Sequence, residues 1–513
     1  MRSTPARPAF PPVLLVVAGA AVACLALLPL GYVVGYAVSL GPTEAWNLLV
    51  RPRVGELLVN TSALLVGTVT LCVVLGVGCA WLVERTTVPM RALWHVLLTA
   101  PLAVPAFVNS YGWVSLTHAV QSYFGAVLVV SLSYFPLVYL PAVAALRGLD
   151  PALEEVAHSL GHNRWRTFLH VTLPGVRPAI LGGGLLVGLH VLSEFGALQM
   201  LRFPTFTTAI YDQYRSAFNS APANMLAGVL VLGCLLLLLA ELRLRGHSSL
   251  ARVGSGATRP LERVRLRRLG PLVLAILTAV VVLALGVPLG SLTRWLVVGS
   301  STAFPIRELL TAALTTAGLA TAAAVLTTTL SLPVVWLAVR HRGRVGTLIE
   351  RCTFLAHALP GIVVALALVA VSIRAVRPLY QTMPLLLLAY ATLFLPRAVV
   401  SVRASLEQAP PVLEEVSRSL GDGPWATAWR VTLPLLRPGL GAGAALVFLA
   451  VSTELTATLL LSPLGYRTLA TEFWSNASSV QYGAAAPYAL LLVLVSMPAT
   501  FLLSRQARRG AHP

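Results

Sequence analysis

Residues 154–178 read EEVAHSLGHNRWRTFLHVTLPGVRP, residues 414–438 read EEVSRSLGDGPWATAWRVTLPLLRP, and the two align without gaps with 14 of 25 positions identical. The same offset of 260 carries Pro136 to Pro396 and Glu194 to Glu454. Further upstream an offset of 255 carries Trp81 to Trp336, Arg85 to Arg340 and Pro105 to Pro360, so one connecting loop differs by five residues. Self-similarity at a fixed period is the mark of a duplicated structural unit. The chain is therefore read as two tandem copies of one unit.

The surroundings of the repeated segment say what that unit is. Of the 513 residues 57% are hydrophobic and only 11% charged, against about 25% charged in an ordinary soluble domain. Mean hydropathy is +0.82. A bilayer core of roughly 30 Å needs about 20 apolar residues per helix, and such runs fall near 13–39, 57–83, 93–116, 124–146, 178–200, 224–242, 271–291, 309–339, 352–373, 383–402, 438–461 and 484–504. The expected fold is an all-α integral membrane protein of about twelve transmembrane helices in two six-helix repeats. Because each repeat has an even number of spans, both enter the membrane in the same sense, and a pseudo-twofold axis along the membrane normal relates them. The expected divisions are 1–245, an Arg-rich cytoplasmic linker 246–268, and 269–513.

A formal charge of +19 raises the question of a nucleic-acid partner, and the placement of the charges answers it. With a cytoplasmic N-terminus, 28 of the 37 basic residues lie on inner segments, which is the positive-inside pattern of a membrane protein. Nucleic acid is not expected as a partner; membrane lipid is. The leading segment, with Arg2 and Arg7 before an apolar run, reads as an uncleaved first helix. Localisation in a bacterial cytoplasmic membrane with both termini inside follows. All 37 basic residues are arginine. A phosphate-binding loop of the form G-x-x-x-x-G-K-[ST] needs a lysine, so ATP and Mg, if they drive the process, belong to another subunit and no cofactor is expected on this chain. The five cysteines, Cys24, Cys72, Cys79, Cys234 and Cys352, lie in or beside apolar runs without a C-x-x-C pair and read as small buried hydrophobes.

Each copy of the repeated segment is amphipathic and reads as a helix-turn-helix elbow outside the bilayer. Pro151 and Pro411 suit a first helical turn, the acidic pairs Glu154/Glu155 and Glu414/Glu415 follow at the positive end of the helix dipole, and Gly161 and Gly421 stand where the chain turns. A second short helix then runs to Leu173-Pro174 or Leu433-Pro434.

These residues resemble the EAA loop of binding-protein-dependent ABC importer permeases, E-A-A, three residues, G, about nine residues, I-x-L-P. The copies read Glu155, Val156, Ala157, Gly161 and Pro174, and Glu415, Val416, Ser417, Gly421 and Pro434, with valine for the first alanine in both and serine for the second in one. The resemblance implies that each elbow is a coupling helix docked on an ATPase subunit, two copies of which would match the twofold repeat, with a substrate-binding protein on the outer face. The chain itself is then a transport subunit and not an enzyme.

Glu194 and Glu454 each lie sixteen residues past the proline that begins their span, roughly 24 Å along a helix and toward the outer face. Intramembrane carboxylates are costly and mark pathways, so both, with Tyr211 and Asp212 of the following loop, are candidate translocation-path residues. No metal ligands are assigned. His190 reads as a packing histidine, and Arg397, just after Pro396, as a residue at a helix kink. Nearly the whole chain, and the stretches SEFGA with FTTAIY and TELTATLLLSP with TLATEFW above all, looks like the ferric-iron branch of these permeases. Permeases for thiamine, phosphonate or polyamines share the architecture, and a proton-coupled secondary transporter is the rival of another class.

Overall fold

The computed structural model describes residues 13–216, 221–245, 264–299, 304–341, 343–356 and 358–509. Arg2, Arg7 and the linker up to residue 263 lie outside the described residues. What is described is helical, with one isolated bridge between Thr86 and Val264.

Among the described residues eight helices are long and apolar enough to cross a membrane: Val13–Leu40, Pro52–Arg85, Trp165–Ser193, Pro222–Ala240, Gly270–Val298, Ile306–Arg340, Met383–Gln408 and Pro424–Ser452. Three bent pairs are long and apolar enough only when taken together, as broken spans or re-entrant loops: Arg91–Ala103 with Ala106–Val114 at 90°, Tyr123–Tyr134 with Pro136–Gly148 at 47°, and Arg344–Ala356 with Gly361–Ala375 at 104°. The apolar stretch Tyr482–Pro498 occupies the last place. Ten of the expected spans fall on a helix or a bent pair; the fifth and eleventh, expected over 178–200 and 438–461, end earlier, at Ser193 and Ser452, and a separate short helix follows each, Gly196–Met200 and Thr456–Leu461. The bends fall at Pro105, Pro136 and Pro360, where a missing N–H and a ring clash break the helical ladder.

By packing, the chain forms two compact units, one joining the chain up to Leu48 to Pro305–Glu472 and the other joining Leu49–Phe304 to the chain from Phe473 onward. Packing therefore partitions the chain differently from the sequence repeat, because the opening span of each half lies with the later spans of the other half. In one unit a Cβ on Gly19 would stand 2.7 Å from Leu337 Cδ1, and Val22, Ala23 and Ala26 are buried on the same helix. In the other unit a Cβ on Gly112 would stand 2.6 Å from Pro288 Cα, while Ser115 and Ser291 share a 2.7 Å hydrogen bond. Small residues let helix backbones approach in a membrane, where burial from water supplies no force.

Within each unit the long second span of the repeat is the centre of packing. Pro52–Arg85 meets Pro136–Gly148 and Leu173–Ser193; Ile306–Arg340 meets Met383–Gln408 and Leu433–Ser452. Equivalent glycines serve the contact between the fourth and fifth spans and that between the tenth and eleventh: a Cβ on Gly183 would lie 2.9 Å from Val138 Cα, and one on Gly443 3.4 Å from Ala398 Cα. Large apolar side chains such as Val66, Val74, Leu232, Leu236 and Val325 point outward from the spans, which in a bilayer is the lipid-facing side. Of the cysteines, Cys72, Cys79 and Cys234 are buried, Cys352 is half-buried and Cys24 is exposed on its span.

Candidate functional site

The two elbows fold alike because their sequences place the same signals at the same steps. Pro151–Ser159 and Pro411–Ser419 are short helices, the first capped by the Asp150 carboxylate on the Ala152 N–H at 3.0 Å. Each ends at a glycine with positive φ, +82° at Gly161 and +94° at Gly421. The N–H of His162 reaches Ala157 O at 3.0 Å and that of Asp422 reaches Ser417 O at 3.1 Å. This left-handed residue with a back-reaching N–H is the helix stop that glycine permits.

The second elbow helices continue into the fifth and eleventh spans through a wide turn, Phe168–Thr172 and Ala428–Thr432, in which the N–H of Leu173 reaches back five residues to Phe168 O and that of Leu433 to Ala428 O. Pro174 and Pro434 come immediately after. A widened turn gives their rings room against the preceding carbonyls, which explains why Leu-Pro stands at this point in both copies.

Adjacent helical residues differ by about 100° in direction, and this separates the paired glutamates. Glu154 and Glu414 turn inward. Arg85, the last residue of its span, places a guanidinium nitrogen 3.1 Å from Glu154, and Arg340 places one 2.9 Å from Glu414. Thr172 adds a 2.8 Å bond to Glu154. Glu155 and Glu415 point outward and are exposed. Ala157 and Ser417 are buried between elbow and bundle. The serine finds partners there, donating to Asp422 Oδ2 at 2.9 Å and lying 3.2 Å from the Thr427 hydroxyl, so its hydroxyl is tolerated where the first copy has a methyl.

Around the outward glutamates lies an apolar face repeated position for position. Leu153, Val156, Leu160 and Trp165 in one elbow correspond to Leu413, Val416, Leu420 and Trp425 in the other, and all eight are exposed. Leu160 is 74% and Leu420 80% accessible. Large side chains left uncovered on a short amphipathic helix mark a docking surface.

Behind the first elbow sits a buried charge cluster that the sequence reading passed over. The Glu84 side chain is only 4% exposed and pairs with Arg91, with Arg147 at 2.6 Å and with His95 Nε2 at 3.1 Å. Tyr139 lies 2.6 Å from His95 Nδ1. The second half inverts the polarity: Arg403 is the centre, paired with Glu350 and, at 2.8 Å, with Glu407. At equivalent positions His95 becomes Glu350 and Arg147 becomes Glu407. The available signal was the charge standing just beyond the ends of the apolar runs, Glu84 after 57–83, Arg91 before 93–116 and Arg147 after 124–146.

At the far end of the fifth and eleventh spans the helix breaks at Glu194 and Glu454. Each carboxylate accepts an N–H from the short helix that follows, Ala197 at 2.9 Å and Ala457 at 3.0 Å. Each main-chain carbonyl accepts a threonine hydroxyl at 2.7 Å, from Thr207 and Thr458. The surroundings then differ. Glu194 accepts from the Tyr134 hydroxyl, whereas Glu454 lies within electrostatic reach of Arg397. His190 makes a 2.8 Å hydrogen bond to the Leu186 carbonyl one turn back, as a packing histidine does. Tyr211 is buried with its ring 4.4 Å from that of Phe195, and Asp212 is exposed and bonded to Gln199 at 3.3 Å. Among the described residues no three His, Cys, Asp or Glu side chains gather as a metal site.

Eight apolar helices long enough to cross a membrane and three bent apolar pairs among the described residues, arranged in two repeats that each carry an amphipathic elbow presenting the same face, define a class of membrane transport subunit. Residues 72–244 and 334–511 match the family model described as "Binding-protein-dependent transport system inner membrane component", and the chain belongs to that family. It is thus a multi-pass permease of the inner membrane. Over 507 residues, 98% of this chain and 99% of the relative, it is 41% identical to the Fe(3+)-transport system permease protein FbpB 2 of Haemophilus influenzae. The ferric transport system permease protein FbpB of Actinobacillus pleuropneumoniae is 24% identical over 82% of this chain and 67% of its own length. A shorter likeness, 37% identity over 139 residues, 24% of this chain and 60% of the relative, joins it to the molybdenum transport system permease protein ModB of Escherichia coli.

Proposed function

We propose that the chain is the permease subunit of an ATP-driven importer of ferric iron. ATP and Mg are bound by a separate nucleotide-binding subunit, one copy of which docks on each elbow, and a binding protein delivers the cargo at the outer face. The observation that carries the coupling is the four-position apolar match between the elbows, with Glu155 and Glu415 exposed at equivalent places. An apolar face with an exposed acid at the same place in each copy suits a groove that offers a base opposite that acid. Two matching faces suit a partner that is itself a twofold dimer. The arginine bias supports a cytoplasmic position for the elbows, the linker and both termini.

Iron as cargo rests on the names of the relatives matched over most of the chain. A hard trivalent cation prefers oxygen ligands, and Glu194 with Tyr134, Glu454, and Asp212 offer such oxygens toward the outer end of the spans. Their caps keep the two glutamates at the helix breaks. In cells deleted for the chain, uptake of radiolabelled ferric iron is expected to fall to background and to return with the plasmid-borne gene. Normal iron uptake accompanied by lost uptake of thiamine, phosphonate or a polyamine would overturn the cargo and leave the coupling intact.

A further inference from the structure

We propose that Arg85 and Arg340 are positioning residues that make each elbow move as one body with the second and fourth spans of its half. The idea rests on the coupling reading above and says how a displacement of the elbow reaches the membrane. Each guanidinium closes the last turn of the second span and binds in two directions. Arg85 bonds Glu154 and, at 3.4 Å, the Leu146 carbonyl near the end of the fourth span. Arg340 bonds Glu414 and, at 3.0 Å, the Ala409 carbonyl at the end of the tenth. Their side chains are 6% and 12% exposed, so water competes little.

An elbow without such a staple would hang on the bends on either side of it, and Gly161 or Gly421 would absorb a push from below. The guanidinium removes that freedom by joining the elbow helix to two spans through one planar group, a task lysine performs with a single compact charge and no fork. The arrangement occurs twice, at positions related by the repeat, although 69 residues separate Arg85 from Glu154 and 74 separate Arg340 from Glu414. Glu155 and Glu415 stay free to meet the partner on the opposite face. The two glutamates of each pair thus divide the work, the first holding the elbow to the bundle and the second facing the engine.

The test uses the full chain with its nucleotide-binding subunit and binding protein in vesicles, and measures subunit association, ferric iron uptake and ATP hydrolysed per ion. Arg85→Gln with Arg340→Gln is expected to retain association and to raise the ATP spent per ion by about tenfold, within the roughly 5–150-fold span of coupling between sites. Glu154→Gln with Glu414→Gln is expected to give the same result, and the four-fold variant to be no worse than either pair. Arg85→Lys with Arg340→Lys should fall between these and the parent, and decides the matter alone if the glutamine variants do not accumulate. An unchanged ATP-to-ion ratio in the lysine or glutamine pairs overturns the proposal. So does loss of association, which would make the staple part of the docking face. If instead Glu155 and Glu415 can be reversed without loss of association, the coupling reading itself fails.

Discussion

Replacing Glu155 and Glu415 together by arginine is expected to abolish copurification of the nucleotide-binding subunit and, with it, uptake. Both side chains are exposed on their elbows, so their reversal leaves the bundle intact and the chain reaches the membrane at the parental level. The loss falls on the interface. Disrupting one charge pair that becomes buried on docking costs about 2–5 kcal/mol, or roughly 30-fold or more in affinity per elbow. Because the two elbows match residue for residue, a single reversal is expected to weaken association partially and the double reversal to eliminate it. Reversal of the inward glutamates would read differently, since those are bonded to Arg85 and Arg340 and report on the joint. Parental association of the Glu155/Glu415 double variant, measured by pull-down from solubilised membranes, would remove the elbows from the account.

The second large effect is one of stability. The Glu84 carboxylate, itself 4% exposed, pairs with Arg91, Arg147 and His95, and its replacement by alanine removes a buried acid shared by two guanidinium groups. Breaking a buried pair by removal of one partner costs about 3–5 kcal/mol. That is a large share of what holds an ordinary domain together. The Glu84→Ala chain is therefore expected to melt well below the parent in detergent and to accumulate poorly. Glu407→Ala is the control, because that carboxylate pairs with Arg403 at an exposed position and such pairs contribute about 0–1 kcal/mol. Equal melting temperatures for the two variants would show that the Glu84 cluster carries no stability.

The inverted polarity of the two clusters gives each half its own pairing rule. An acid on the second span holds bases on the third and fourth in one half, and a base on the tenth span holds acids on the ninth and tenth in the other. Val339 and Gly346 stand where the first half has Glu84 and Arg91. Gly346 fills the place by close packing instead, since a Cβ there would lie 2.5 Å from Leu337 O.

How far the sequence disclosed all this follows from the range of each interaction. The spans were legible because length and apolar composition are themselves the condition for crossing a bilayer, and the bends at Pro105 and Pro360 because proline acts on its own helix. Gly161 and Gly421 were legible for the same reason: a left-handed helix stop is a local demand. The exchange of opening spans was not, since nothing in the residues 13–40 names the helix they will pack against. The division of labour within Glu154/Glu155 depends on a partner 69 residues away in sequence, although the coincidence of Arg85 with Arg340 at the ends of equivalent spans was a visible trace of it. The Glu84 cluster was hidden because its charges stand just outside the apolar runs, where each reads as the polar end of a span, and only the fold brings them together. At Glu194 and Glu454 the charge stood out in the sequence and its local setting did not: the carboxylates cap the next short helix, a role that requires knowing that the span breaks there.

Site-specific photocrosslinking in living cells puts the central claim to its most direct trial. A photoreactive residue at position 160 or 420, the most exposed apolar positions of the elbow helices, should join this chain to one nucleotide-binding protein, from either elbow, while the same probe at the lipid-facing Val66 does not. Crosslinks from 160 and 420 to lipid alone, or labelling of these positions by a reagent that cannot enter the cell, would contradict the account.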